Sequence, residues 1–136
     1  MIYKITIPQT PIPQPRHRVL KNGFSFDPAK EKKNFVRMQM METIDFKLNQ
    51  PIEITMLFYM PIPKATSKKK KALMIENKIP HTKKPDIDNI IKFYMDAMTG
   101  VVIYDDNQIH SLTAKKLYSD TPRTEIIITA DDHSYE

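Results

Sequence analysis

The run Asp86-Ile87-Asp88-Asn89-Ile90-Ile91-Lys92-Phe93-Tyr94-Met95-Asp96-Ala97-Met98 decides how the chain is read. Ile87, Ile90, Ile91, Tyr94, Met95 and Met98 recur at helical spacing and share one face. Pro85 stands just before the run, biasing Lys84 toward an extended backbone, and Gly100 just after it suits a helix C-terminus. The spacing predicts a helix over 86–98 that packs by one side.

Working outward, the flanks alternate with period two. Ile52, Ile54, Met56, Phe58 and Met60 are separated by Glu53, Thr55, Leu57 and Tyr59, as in a strand half-buried on a core, and Pro61 and Pro63 end it. Tyr3, Ile5 and Ile7 do the same within 2–7, and the stretches 109–118 and 124–130 read as two more strands. Asp27-Pro28 is a helix start, with a capping residue followed by proline at the first helical position. A helix is expected from there to Leu48, with Phe35, Met38, Met41, Ile44 and Leu48 as its apolar stripe. Thr66 or Ser67 suits the start of a short lysine-rich helix ending before Pro80, and Asn22-Gly23 suits the turn of a hairpin over 16–26. Four prolines make 8–15 an irregular loop. The expected fold is α+β: one domain over 1–136, a mixed or mainly antiparallel sheet against two main helices, and a loose tail at 131–136.

Composition narrows the function classes. No cysteine is present among the 136 residues, which excludes disulfides and thiolate metal sites. No apolar run approaches the ~18 residues of a membrane helix, and Met1-Ile2-Tyr3-Lys4 lacks a signal-peptide layout, so a soluble cytoplasmic protein without membrane contact is expected. The net charge is +5 and the pI 9.3. Between Lys64 and Lys84 stand eight lysines and one acid, a local +7 that leaves the rest of the chain slightly acidic. Such a field suits a polyanion, or simply a solvated surface.

Chemistry concentrates in Asp86, Asp88 and Lys92, followed by Asp105-Asp106. Carboxylates two apart in an extended approach to a helix point the same way and offer oxygen ligands to a hard cation. Lys92 lies one turn beyond Asp88 on the same helix face. If the stretch 101–104 returns beside the helix, one of the two later acids completes the site. The plainer alternative is that Asp86 and Asp88 cap the helix, Lys92 pairs with Asp88 or Asp96, and Asp105-Asp106 form a turn. An EF-hand is excluded, because Ile91 and Ala97 fall where its glycine and glutamate belong. No pair of the histidines 17, 81, 110 and 133 has ligand spacing; His81 is expected as a phosphate contact.

Lys84-Pro85-Asp86-Ile87-Asp88-Asn89-Ile90-Ile91-Lys92, Asp96-Ala97-Met98-Thr99-Gly100 and Tyr104-Asp105-Asp106-Asn107-Gln108-Ile109 together resemble the RusA family of Holliday-junction resolvases. The likeness is dense from His81 to Lys116 and looser at Pro15-Arg16-His17-Arg18 and Phe26-Asp27-Pro28; the lysine run at 68–71 and the proline-rich start depart from the family pattern. The resemblance implies a magnesium-dependent endonuclease, with manganese a substitute. It also implies a homodimer acting on four-way DNA junctions in recombination and repair, encoded by a prokaryote or phage. Asp86, Asp88 and Asp106 correspond to the metal ligands and Lys92 to the catalytic lysine, with Asp105 and Asn89 in support. Arg16, His17, Arg18, Lys68, Lys69, Lys70, Lys71, Lys83 and Lys84 are the expected DNA contacts. Two other classes compete: a non-catalytic nucleic-acid-binding module, and a metal-dependent phosphatase of small molecules, which has little use for a +7 segment.

Overall fold

A computed structural model describes residues 1–15, 18–19, 21, 23, 25–26 and 29–131. Alternation of apolar and polar residues produces the strands where it is strongest. These are β1 (Ile2–Ile7), β4 (Ile52–Pro61), β5 (Ile109–Ser119) and β6 (Arg123–Ala130). Two short strands, β2 (Arg18–Val19) and β3 (Ser25–Phe26), pair as an antiparallel ribbon. Gly23 lies between them with φ +87°, a backbone geometry that favours glycine. The expected turn partner Asn22, the expected helix start Asp27-Pro28 and all of the expected tail beyond Asp131 lie outside the described residues.

The main sheet is mixed, in the order β1-β6-β4-β5. The pairs β1–β6 and β4–β6 are antiparallel, whereas β4–β5 is parallel. A parallel neighbour needs a long crossover, and here it carries α2 (Lys68–Ile75) and α3 (Ile87–Met98). Ser67 caps α2, its Oγ accepting from the Lys70 N–H at 3.3 Å. One phase of β4, from Ile52 to Met60, is buried, and the other phase is exposed or half-buried. The buried phase packs with Ile5, Ile7, Ile126 and Ile128 against Ile90, Phe93, Tyr94, Ala97 and Met98 of α3. Phe58 and Tyr94 stack at 5.8 Å between ring centroids. Among the described residues no helix is long and apolar enough to cross a membrane.

The helix α1 (Lys30–Thr43) corrects two expectations. It stops at Thr43; Ile44 is extended, and Leu48 donates its N–H to the Val102 carbonyl at 2.8 Å, so both are buried outside the helix. Its buried face is Lys33, Val36 and Met40, while Phe35, Met38 and Met41 are 52, 66 and 47% exposed. The phase is set by polar tethers. Arg37 donates to the Ala97 carbonyl at 3.1 Å and the Asp96 carbonyl at 3.0 Å. These are C-terminal carbonyls of α3, which have no partner within their own helix. Lys33 lies 3.7 Å from the Asp96 carboxylate and 5.7 Å from the Phe93 ring centroid. Facing both cations toward α3 turns the Phe35 side of the helix outward.

Candidate active site

The start of α3 is held from two sides. The proline-rich loop runs back along the helix: the Ile12 N–H donates to the Tyr94 hydroxyl at 3.1 Å, and the Gln14 N–H to the Asn89 carbonyl at 2.9 Å. From below, Lys116 of β5 donates to the Lys83 and Pro85 carbonyls at 2.8 and 2.9 Å. The Lys84–Pro85 peptide bond is cis.

On this frame Asp86 is the N-cap residue of α3, with φ −67° and ψ 142°, yet its carboxylate makes no capping hydrogen bond. Asp88 lies in the first turn and is exposed, as are Asn89 and Lys92. Among the described residues no ion pair joins Lys92 to Asp88 or to Asp96; Asp96 faces Lys33 instead. The capping and ion-pair alternatives therefore leave all three charged groups unused. Two free carboxylates beside a helix N-terminus, with an ammonium one turn on, suit a hard divalent cation and a phosphate. Lys83 and Lys84 are exposed just ahead of them.

The second pair of acids lies elsewhere. Val101–Tyr104 does not return along α3. The Val102 N–H bonds back to the Met98 carbonyl at 2.9 Å and the Gly100 N–H to Ile103 at 2.8 Å, closing a turn at the helix end. Asp105 then caps a short 3-10 turn (Asp106–Gln108), accepting from the Asn107 N–H at 3.0 Å. Gln108 completes a capping box and pins it. Its Oε1 accepts from the Tyr104 and Asp105 N–H groups at 2.8 and 3.1 Å, and its Nε2 donates to the Leu48 and Gln50 carbonyls at 2.8 and 3.1 Å. Asp105 is held below the ordinary carboxylate range by the Asn107 N–H and then by its hydrogen bond with Asp106. Asp106 is pushed up by that same hydrogen bond, by the charge of Asp105 and more weakly by Asp96.

Asp106 is thus near the C-terminal end of α3, and Asp86 and Asp88 are at its start, the length of a twelve-residue helix away, or about 18 Å. The strand agrees: Pro85 is bonded to Lys116, seven residues beyond Ile109 along β5, or about 23 Å. Among the described residues no three acids or histidines of one chain are placed to hold a metal ion.

The basic contacts divide. Lys68, Lys69, Lys70 and Lys71 lie on α2 and are exposed. Arg16 and His17 lie outside the described residues, and of Arg18 only the backbone, in β2, is described. His81 is not an open phosphate contact. It is 8% exposed, packed on Tyr118 at 4.8 Å between ring centroids, and its Nδ1 has no hydrogen-bond partner. Burial, and then the Lys116 charge, lower its pKa. Gln108, Arg37 and Lys116 were missed from sequence. Each acts through backbone carbonyls distant along the chain, and only Gln108 carried a local signal, three residues after an aspartate.

A mixed four-stranded sheet with acids presented at the start of a crossover helix defines a small α+β domain built to meet a cation and a polyanion. Residues 8–129 match the family model described as Endodeoxyribonuclease RusA, and the chain belongs to that family. It is also 35% identical over 136 residues to a Bacillus subtilis (strain 168) protein described as "Uncharacterized protein YqaN", with 92% of this chain and 94% of that protein covered.

Proposed function

We propose that the protein is a divalent-metal-dependent DNA endonuclease that resolves four-way junctions, with its reaction centre at the start of α3. The observation that carries this is the free, exposed set of Asp86, Asp88 and Lys92 in a chain of this family. Magnesium is commonly held by one or two carboxylates together with substrate phosphate, and Asp86 and Asp88 suit that role, with manganese a substitute. Such an ion supplies charge neutralisation on the phosphate and a more acidic water for attack. Asp86 and Asp88 orient the phosphate's counter-charge, and the Lys92 ammonium stabilises charge as it develops on the leaving oxygen. Water adds to phosphorus, the P–O bond breaks and the leaving oxygen takes up a proton.

Asp106 belongs to this centre by motif but not by position within one chain. The two are reconciled in a two-fold homodimer in which one protomer's Asp106 faces its partner's α3 start, and two such sites would cut a junction symmetrically. The exposed Phe35, Met38 and Met41 face of α1 supplies apolar surface for that contact.

The test incubates labelled four-way junction, duplex and single-stranded DNA with the protein, with and without magnesium. Wild type is expected to cut the junction only with metal. Asp86→Asn and Asp88→Asn are expected to bind it as well as or better than wild type and leave it intact, since removing anions beside a phosphate favours binding. Metal-independent cutting, or normal cutting by either variant, would refute the reading.

A further inference from the structure

Two cavities outside the acidic centre join into one groove. The first, about 410 Å³, is lined by Lys64, Lys68 and Lys71 and by the hydroxyl-bearing Thr66 and Ser119, with Asp120 its one carboxylate. The second, about 510 Å³, is walled by Pro11 and Pro13 of the N-terminal loop and by Pro61 and Pro63 after β4. Lys83, Lys84 and Pro85 form its other side, directly ahead of Asp86. Pro61 and Pro63 line both cavities, so the lysine end and the proline end are continuous.

The ends differ in chemistry. Lys68 and Lys71 are three apart on α2 and share a side of it, whereas Lys69 and Lys70 do not line the cavity. None of these four lysines is in an ion pair among the described residues. The proline end has no acid, and its rings are rigid and apolar. His81 and Tyr118 form its floor, both more than nine-tenths buried.

We infer that this groove holds an unpaired strand of the DNA substrate, with one phosphate among Lys64, Lys68 and Lys71 and a neighbouring base between the prolines. An alternation of anionic and apolar groups along the groove matches a single strand, whose bases are open. A duplex offers the same phosphates, but its bases are covered by their neighbours and cannot enter a concave apolar seat. The strand then leads past Lys83 and Lys84 to the start of α3. This rests on the nuclease reading and deepens it: the substrate must present unpaired nucleotides at the branch.

The probe is fluorescein-labelled oligothymidylate, bound to the full chain without divalent metal and titrated with salt by anisotropy. For a single strand, removing one lysine from a phosphate should lower the log–log salt slope by ~0.7. Lys68→Gln/Lys71→Gln is expected to lower it by about 1.4, and Lys69→Gln/Lys70→Gln, the same change of charge, to leave it unaltered. Thr10 is exposed on the proline cavity, so Thr10→Phe fills the seat and should weaken binding about tenfold at an unchanged slope. Equal slopes for the two double variants would overturn the proposal. So would wild type that ignores oligothymidylate yet cuts junctions, an outcome that leaves the nuclease reading standing. Failure to cut any DNA overturns that reading instead.

Discussion

Lys92 and His81 make opposite claims on a positive charge. Lys92 is exposed and unpaired on the face of α3 that carries Asp88, so Lys92→Met is expected to lower turnover on a junction by more than tenfold while the junction affinity changes little. Single-turnover cleavage beside metal-free binding checks this; an equal loss in both would make Lys92 a DNA contact only. His81 is buried beneath Tyr118 with its pKa lowered, so the unfolded chain takes up its proton first as pH falls. Stability linked to His81 is therefore fully present above the unfolded value of about 6.5 and declines below it, toward the lowered folded value. Urea melts of His81→Phe are expected to show a shallower loss of stability below pH 6.5. A wild-type and variant pair with parallel pH profiles would mean that the imidazole titrates normally.

At the scale of elements, the sheet was legible because burial on one face writes itself as alternation: Ile52 to Met60 and Ile5 with Ile7 kept the expected phase. The helix α3 was legible for the same reason at its own period. The outward turn of α1 was not. Its orientation depends on Arg37 meeting carbonyls sixty residues away and on a buried lysine, which no apolar count anticipates. The separation of Asp106 from Asp86 was hidden too, because it follows from how the turn after α3 closes onto Met98. Arg37→Met keeps the aliphatic packing but removes the guanidinium donors from the end of α3. It is expected to cost about 1.5–3 kcal/mol in chemical unfolding; a change within a few tenths would mean water replaces those bonds.

For the whole molecule, the prediction concerns where one site ends and the next protomer begins. Sedimentation should show a species near twice the 15.9 kDa chain mass. Asp86→Asn and Asp106→Asn chains are each expected to be inactive. Mixed dimers of the two should recover one intact site, seen as nicking of the junction, because the unaltered Asp86 of one chain then meets the unaltered Asp106 of the other. If each site lies within one chain, mixing restores nothing. Phe35→Glu with Met38→Glu should give folded monomers without cleavage, and an unaltered dimer would move the interface elsewhere.

The position of β6 between β1 and β4 has a temporal consequence. During synthesis, the residues of α3 and the acidic turn emerge well before Arg123–Ala130, but the first strand and the central strand have nothing to join them until that segment arrives. The apolar faces of β1 and β4 therefore wait, unpaired, on the ribosome, and the sheet closes only as its last-made strand is inserted. A nascent chain arrested ahead of residue 123 carries every acid of the reaction centre and should remain protease-sensitive, so a DNA-cutting activity does not appear on a half-made polypeptide.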